Sequence, residues 1–226
     1  MPFEYSYPRP MVTVDTVIFT LREDDLHVLL VKRKNWPFEG TWAIPGGFVD
    51  MDETLEAAAK RELKEETGLA DLFLEQLYTF GDPGRDPRGR SITITYFAVV
   101  QAGAVDPQAA DDAADVGWWS IYHLPPLAFD HDKILDYALT RLRYKLEYTA
   151  IGFELLPDEF TLTELQTAYE IVLGVKLDKR NFRRKILAAN VIEPAQRVRS
   201  GEGRPARLYR YREDAVAEVK ARRLFP

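Results

Sequence analysis

At 226 residues, with 46% apolar and 29% charged side chains, the chain has the balance of a globular protein of one large domain or two modest ones. It has no cysteine, which excludes disulfides and thiolate metal sites and leaves oxygen ligands and three histidines for any metal. Met1-Pro2-Phe3-Glu4-Tyr5 lacks the basic and apolar regions of a signal peptide, and no apolar run nears the roughly 20 residues of a membrane span, so a cytoplasmic protein with no membrane partner is expected.

The net charge of -6 conceals a division. Residues 1–149 hold 15 Lys and Arg against 25 Asp and Glu, whereas residues 150–226 hold 15 against 11, and residues 178–226 hold 14 against 6. A basic segment behind an acidic one suits a module that meets nucleic acid, or a solvated basic surface.

In chain order, residues 11–21 are β-branched and read as a strand, and Leu26–Lys32 as its hairpin partner across a polar turn. Residues 41–49 are short and extended, with a bend at Pro45-Gly46-Gly47. Thr54–Thr67 is rich in Ala, Glu, Lys and Leu and predicts a helix, stopped by Gly68. Leu72–Tyr78 and Ser91–Val100 predict strands around the loop Gly81–Arg90, and Trp118-Trp119 opens a further short segment. Ile134, Leu135, Ala138, Leu139, Leu142 and Leu146 mark a helix from Asp130 to about Tyr148. The boundary is expected at 145–158, giving domains 1–150 and 151–226. The fold class expected from this mixture is α+β, as a sandwich, with a second domain behind it.

Gly47, Glu53, Arg61, Glu62, Leu63, Glu65, Glu66, Gly68 and Leu69 make the pattern G-x5-E-x7-R-E-U-x-E-E-x-G-U, where U is aliphatic. Spacings of three and four on a helix place Glu62, Glu65 and Glu66 within reach of one point. Like charges so spaced repel, so they either spread into solvent or gather a cation, and an all-oxygen set suits Mg2+ (or Mn2+). Gly47–Leu69 resembles the Nudix hydrolase signature at every defining position, which implies that family's α/β/α sandwich with a mixed sheet. That resemblance implies metal ligands at Glu62, Glu65 and Glu66, a supporting pair between Glu53 and Arg61, and a close backbone at Gly46 and Gly47. It further implies attack of water on a pyrophosphate, with metal ions screening the phosphates.

Loop 81–90 concentrates Arg85, Arg88 and Arg90, whose guanidinium groups suit phosphate. Together with Tyr78–Phe80 it is similar to the corresponding loop of ADP-ribose pyrophosphatases and of NrtR-type repressors, which implies ADP-ribose or a close nucleotide-sugar analogue. Arg33 joins these arginines as a candidate substrate residue. Trp36 and Phe38 suit either base stacking or core. Asp111, Asp112 and Asp115 are general-base candidates, Asp112 foremost, or merely cap the following strand while a glutamate of the acidic helix serves as base.

Thr161-Leu162-Thr163-Glu164 predicts a capping box for a helix that ends at Gly174. Asp178 caps a second helix through Ala189, with Phe182, Ile186 and Leu187 inward and the basic residues outward. Val191–Arg199 and Ala206–Arg212 then flank a basic hairpin tip. This order predicts a winged helix-turn-helix, or a small dimerisation domain of the same shape. Asp178–Lys185 and Gly203–Arg210 resemble the winged helix of NrtR-type regulators. Double-stranded DNA would then meet Lys179, Arg180, Asn181, Arg183 and Arg184, with Arg204 and Arg207 on the wing. A homodimer is expected for paired half-sites. Two functions remain open: a pyrophosphatase joined to a DNA-binding domain, and a repressor that senses the nucleotide with little or no hydrolysis.

Overall fold

The computed structural model of the chain describes residues 5–108, 113–199 and 205–215. Two compact units form, one from Met1–Phe19, His27–Ala98 and Val105–Ala138, the other from Thr20–Leu26, Val99–Ala104 and Leu139–Pro226.

The strands of the mixed sheet are β1 (Met11–Arg22), β2 (Asp25–Arg33), β3 (Trp42–Ala43), β4 (Gly46–Phe48), β5 (Glu75–Phe80), β6 (Ser91–Val99) and β7 (Ala113–Ser120). Their order is β3-β2-β1-β6-β5, with β4 paired to β1 and β7 to β2. Strand β1 is buried at every position from Thr13 to Thr20, as a central strand covered on both faces must be. Glu23 and Asp24 both take positive φ (51° and 58°), which a two-residue hairpin turn requires. Trp118 and Trp119 lie near the end of β7, not at the start of a segment, and Trp119 packs edge-on against Trp42 at 5.1 Å. Ala113–Asp115 has little strand propensity of its own; pairing with Lys32 and Arg33 supplies the conformation.

Helix α1 (Leu55–Thr67) begins where the Thr54 hydroxyl accepts the Ala57 N–H, and ends at Gly68 in the left-handed region (φ 73°). Its buried face is Ala58, Ala59, Leu63 and Thr67, packed against β4 and β7. That leaves the carboxylates on the remaining faces. Helix α2 (His131–Tyr148) has Ile134, Leu135, Ala138, Leu142 and Leu146 buried, the expected stripe of threes and fours.

In the second unit, α3 (Ile151–Glu154), α4 (Leu162–Leu173) and α5 (Lys179–Ala189) precede a two-stranded ribbon of β8 (Ile192–Arg199) and β9 (Ala206–Tyr211). Both partners of the capping box form: the Thr161 hydroxyl accepts the Glu164 N–H, and Glu164 accepts the Thr161 N–H. Gly174 closes α4 (φ 70°), and the Asp178 carboxylate caps α5. Tyr169 meets Phe182 edge-on at 5.6 Å, and Phe160 exchanges backbone hydrogen bonds with Tyr209 of the ribbon. This is a winged helix-turn-helix. One detail departs from the sequence reading: Phe182 and Ile186 are buried, but Leu187 is 49% exposed. One residue past Ile186, the helix has turned about 100°, which carries Leu187 out of the buried stripe. No helix among the described residues is long and apolar enough to cross a membrane.

Candidate functional site

The glycine pair is dictated by close packing. Gly46 and Gly47 pair with Asp15 and Val14 of β1. A Cβ at Gly46 would overlap the Val14 carbonyl and lie 2.8 Å from an Asp15 carboxylate oxygen; one at Gly47 would fall on the Glu62 carboxylate. Only glycine lets the strand edge and the acidic helix approach this closely.

Arg61 organises the helix carboxylates. Its guanidinium donates to both Glu53 oxygens (3.0 and 2.6 Å), to Glu62 (2.8 Å), to Glu65 (3.0 Å) and to the Phe48 carbonyl (3.0 Å). The Arg61 hydrogen bond holds the Glu53 carboxyl down at about 2, helped by the Asp50 N–H. The Glu53–Arg61 pair thus stands as the sequence placed it. Glu62 and Glu65 meet on one guanidinium nitrogen, whereas Glu66 accepts the Gly46 N–H at 2.8 Å. The three carboxylates therefore do not share one point, and no group of three His, Asp or Glu poised for a metal occurs among the described residues. Burial pushes the Glu66 carboxyl up to about 8; the Glu62 and Asp15 carboxylates act in the same direction, and the Gly46 N–H and Arg33 oppose it. As a donor set, half-buried carboxylate oxygens beside a glycine backbone fit a hard divalent ion, which would offset the repulsion that Arg61 now relieves.

A cavity of about 180 Å³ opens beside Glu66, bordered by Gly46, Gly47, Arg33, Arg88, Phe129 and His131. Arg33 donates to the Pro37 carbonyl (2.7 Å) and lies 4.9 Å over the Phe129 ring. Arg88 is held by Asp86 (Nε at 3.0 and 3.2 Å, a terminal nitrogen at 2.7 Å) with its guanidinium 4.9 Å over Phe48. Two guanidinium-bearing side chains, each held in place, thus border the same cavity as the half-buried Glu66.

The other sequence candidates fall differently. Arg85 borders the cavity, but its side chain is only 4% exposed and forks onto Asp130 (3.1 and 2.8 Å) while donating to the Ser91 hydroxyl (3.1 Å). Expected to meet phosphate, it instead ties loop 81–90 to the start of α2. Arg90 donates to the Ser91 carbonyl and does not border the cavity. Trp36 is 69% exposed and also off the cavity wall; Phe38 packs edge-on to Phe129 at 4.9 Å. Asp115 lies within β7, its carboxylate accepting the Val116 N–H, and Asp111 and Asp112 lie outside the described residues.

Sequence reasoning missed Asp15, Asp86, Phe129 and His131. Asp15 accepts the Thr93 hydroxyl (2.6 Å), and its other oxygen lies 3.7 Å from His131 Nε2. His131 Nδ1 accepts the Ile44 N–H at 2.9 Å, so the ring is neutral with its proton on Nε2, towards Asp15. One signal was available: Asp15 is the sole charge between Met11 and Leu21. Burial lowers the His131 pKa; Arg85 and Arg33 act in the same direction, and Asp15 and Asp130 oppose them. The folded chain thus refuses a proton that the unfolded chain accepts near pH 6.5, so this group's contribution to stability falls as pH drops through 6.5. The unfolding free energy from urea titration is expected to be lower at pH 5.5 than at pH 7.5, by at most about 1.4 kcal/mol per pH unit for one proton. His131→Asn should flatten that slope; an unchanged slope would reject the assignment.

On the winged helix, Lys179, Arg180 and Arg184 are exposed, Asn181 and Arg183 half-buried. Arg183 donates to Thr163 of α4 (3.1 Å), and Arg184 to the Asn181 side chain (2.7 Å). Arg207 is exposed on β9 opposite Val198, and Arg204 lies outside the described residues. Arg199, not singled out in the sequence, pairs with Glu164 and so joins the ribbon to the α4 cap.

A carboxylate-bearing helix clamped by arginine against a glycine strand edge, with a winged helix in the same chain, defines the class. The family model for the NUDIX domain matches residues 11–138, and that for the NrtR DNA-binding winged helix domain matches residues 152–211. The chain is 42% identical over 210 residues to the ADPR responsive transcriptional repressor NtrR of Acinetobacter baylyi, covering 91% of this chain and 84% of that one. It is 46% identical over 132 residues to an ADP-ribose pyrophosphatase of Methanocaldococcus jannaschii, covering 58% of this chain and 75% of that one. The crystal structure of Shewanella oneidensis NrtR complexed with a 27mer DNA superposes with a TM-score of 0.76 at 37% identity, covering 94% of this chain and 96% of that one. The chain belongs to the Nudix family, in the NrtR group that joins a NUDIX domain to a winged helix.

Proposed function

We propose that the chain is a DNA-binding repressor whose Nudix domain (residues 1–150) takes ADP-ribose or a related nucleoside diphosphate derivative and hydrolyses it, and whose residues 151–226 hold double-stranded DNA as a homodimer. The observation that carries the nucleotide half is the gathering of Arg33, Arg88 and Glu66 around one cavity. Guanidinium groups and carboxylates around one cavity would suit a diphosphate together with a divalent ion. Glu62, Glu65 and Glu66 would hold Mg2+ or Mn2+, which supplies charge screening and a more acidic water. Arg61 and Glu53 orient the helix, and Arg85 holds the loop that presents Arg88. Similarity to an ADPR responsive repressor over 210 residues, which take in the winged helix, supports the DNA half. It equally favours a second reading, in which the same pocket senses the nucleotide without cleaving it.

One paired experiment separates these readings. AMP release from ADP-ribose with Mg2+ is followed for the wild type and Glu66→Gln, alongside retention on a DNA pool with and without ADP-ribose. Hydrolysis predicts release that Glu66→Gln lowers at least about 100-fold, the order seen when charge stabilisation at a reacting centre is removed. No release, with ADP-ribose still altering DNA retention, would leave sensing alone. No effect of ADP-ribose on either readout rejects the nucleotide assignment.

A further inference from the structure

Helix α5 places Leu187 on the side that its arginines occupy. Counted at 3.6 residues per turn, Leu187 projects between Arg183 and Arg184, one turn further along the helix. Phe182 and Ile186 face the opposite way into the core, while Arg180, Arg184 and Leu187 are all exposed. Leu187 is thus a large apolar side chain, 49% exposed, at the end of a basic stripe. The charge of that stripe complements a phosphate backbone, and the base edges of the major groove offer one apolar group, the C5 methyl of thymine.

We propose that Leu187 reads a thymine methyl and so contributes sequence preference, while Arg180 and Arg184 supply attraction to the backbone. This rests on the DNA-binding reading above. Attraction to phosphates is blind to sequence, so an apolar contact among the arginines adds discrimination that the charges lack.

The test uses the full chain. A duplex is selected from a randomised pool with the wild-type protein, and each thymine is then replaced singly by deoxyuridine, which removes only the methyl. At one thymine or more, the wild type should bind the deoxyuridine duplex about threefold to fivefold more weakly, the fold-change of one buried methyl. Leu187→Ala should lose that penalty and bind the thymine duplex as the wild type binds the deoxyuridine one. Arg180→Ala should instead weaken every duplex alike and reduce the salt dependence. A penalty that persists in Leu187→Ala, or no penalty at any thymine in the wild type, overturns the assignment. So does a Leu187→Ala change in oligomeric state with unaltered DNA binding, which would place Leu187 against a second copy. A wild type that selects no duplex from the pool fails the DNA-binding reading itself, an outcome distinct from all of these. Because Leu187 stands outside the core, circular dichroism should match for the variant and the wild type.

Discussion

Arg85→Ala is expected to destabilise the Nudix domain by about 3–5 kcal/mol, the usual cost of stranding one half of a buried ion pair. The side chain is only 4% exposed, and both edges of its guanidinium are engaged, by Asp130 and by the Ser91 hydroxyl. Removing it leaves the Asp130 carboxylate, itself 11% exposed, without its countercharge, with the Asp15 carboxylate also nearby. For a protein of this size each kcal/mol shifts Tm by about 2–4 °C, so the melting temperature should fall by about 6–20 °C. Replacing both partners by apolar residues, as in Arg85→Met with Asp130→Leu, should recover part of the loss, because the desolvation of both charges disappears together. Thermal melts of the three proteins decide the matter. A single substitution costing less than about 1 kcal/mol would mean that the pair is worth no more than an exposed one.

Gly47→Ala is expected to abolish the chemistry with a smaller effect on stability. The added Cβ lands on the Glu62 carboxylate, so α1 must move away from β4 or Glu62 must swing out of line with Arg61. A misplacement of about 1 Å at a reacting centre costs about 100-fold in rate, so AMP release should drop by at least that factor. If the domain senses without cleaving, the same displacement should show as a reduced thermal shift on adding ADP-ribose. DNA retention without nucleotide should persist, since Gly47 contributes nothing to α5 or the ribbon. Wild-type turnover in Gly47→Ala would show that the close approach of β4 to Glu62 is dispensable.

These two positions differ in how far the sequence disclosed them. Gly47 belongs to a nine-position local pattern, and its meaning follows from strand and helix being neighbours along the chain. Arg85 was legible only as a charge on a glycine- and proline-rich loop, a context that favours ligand binding as readily as support. Its partner Asp130 is 45 residues away, and no local pattern announces a pairing at that distance. Asp15 and His131 are 116 residues apart and meet only because β1 runs beside β4 while His131 bonds the β3–β4 connection.

By itself the sequence determined the elements and the chemistry they present: the capped acidic helix, the glycine bend, the capping box of α4 and the basic second helix of the winged domain. Each is a local matter, decided by hydrogen bonds and side-chain spacing within a few residues. Only the tertiary structure decided the allocation of charges. It assigned Arg61 to three carboxylates, paired Arg85 with Asp130 at the cavity's border, gathered Arg33, Arg88 and Glu66 around that cavity, and turned Leu187 out among the arginines. The reason is that a charge leaves water only where a partner awaits it, and partners from distant segments become adjacent only when the sheet closes.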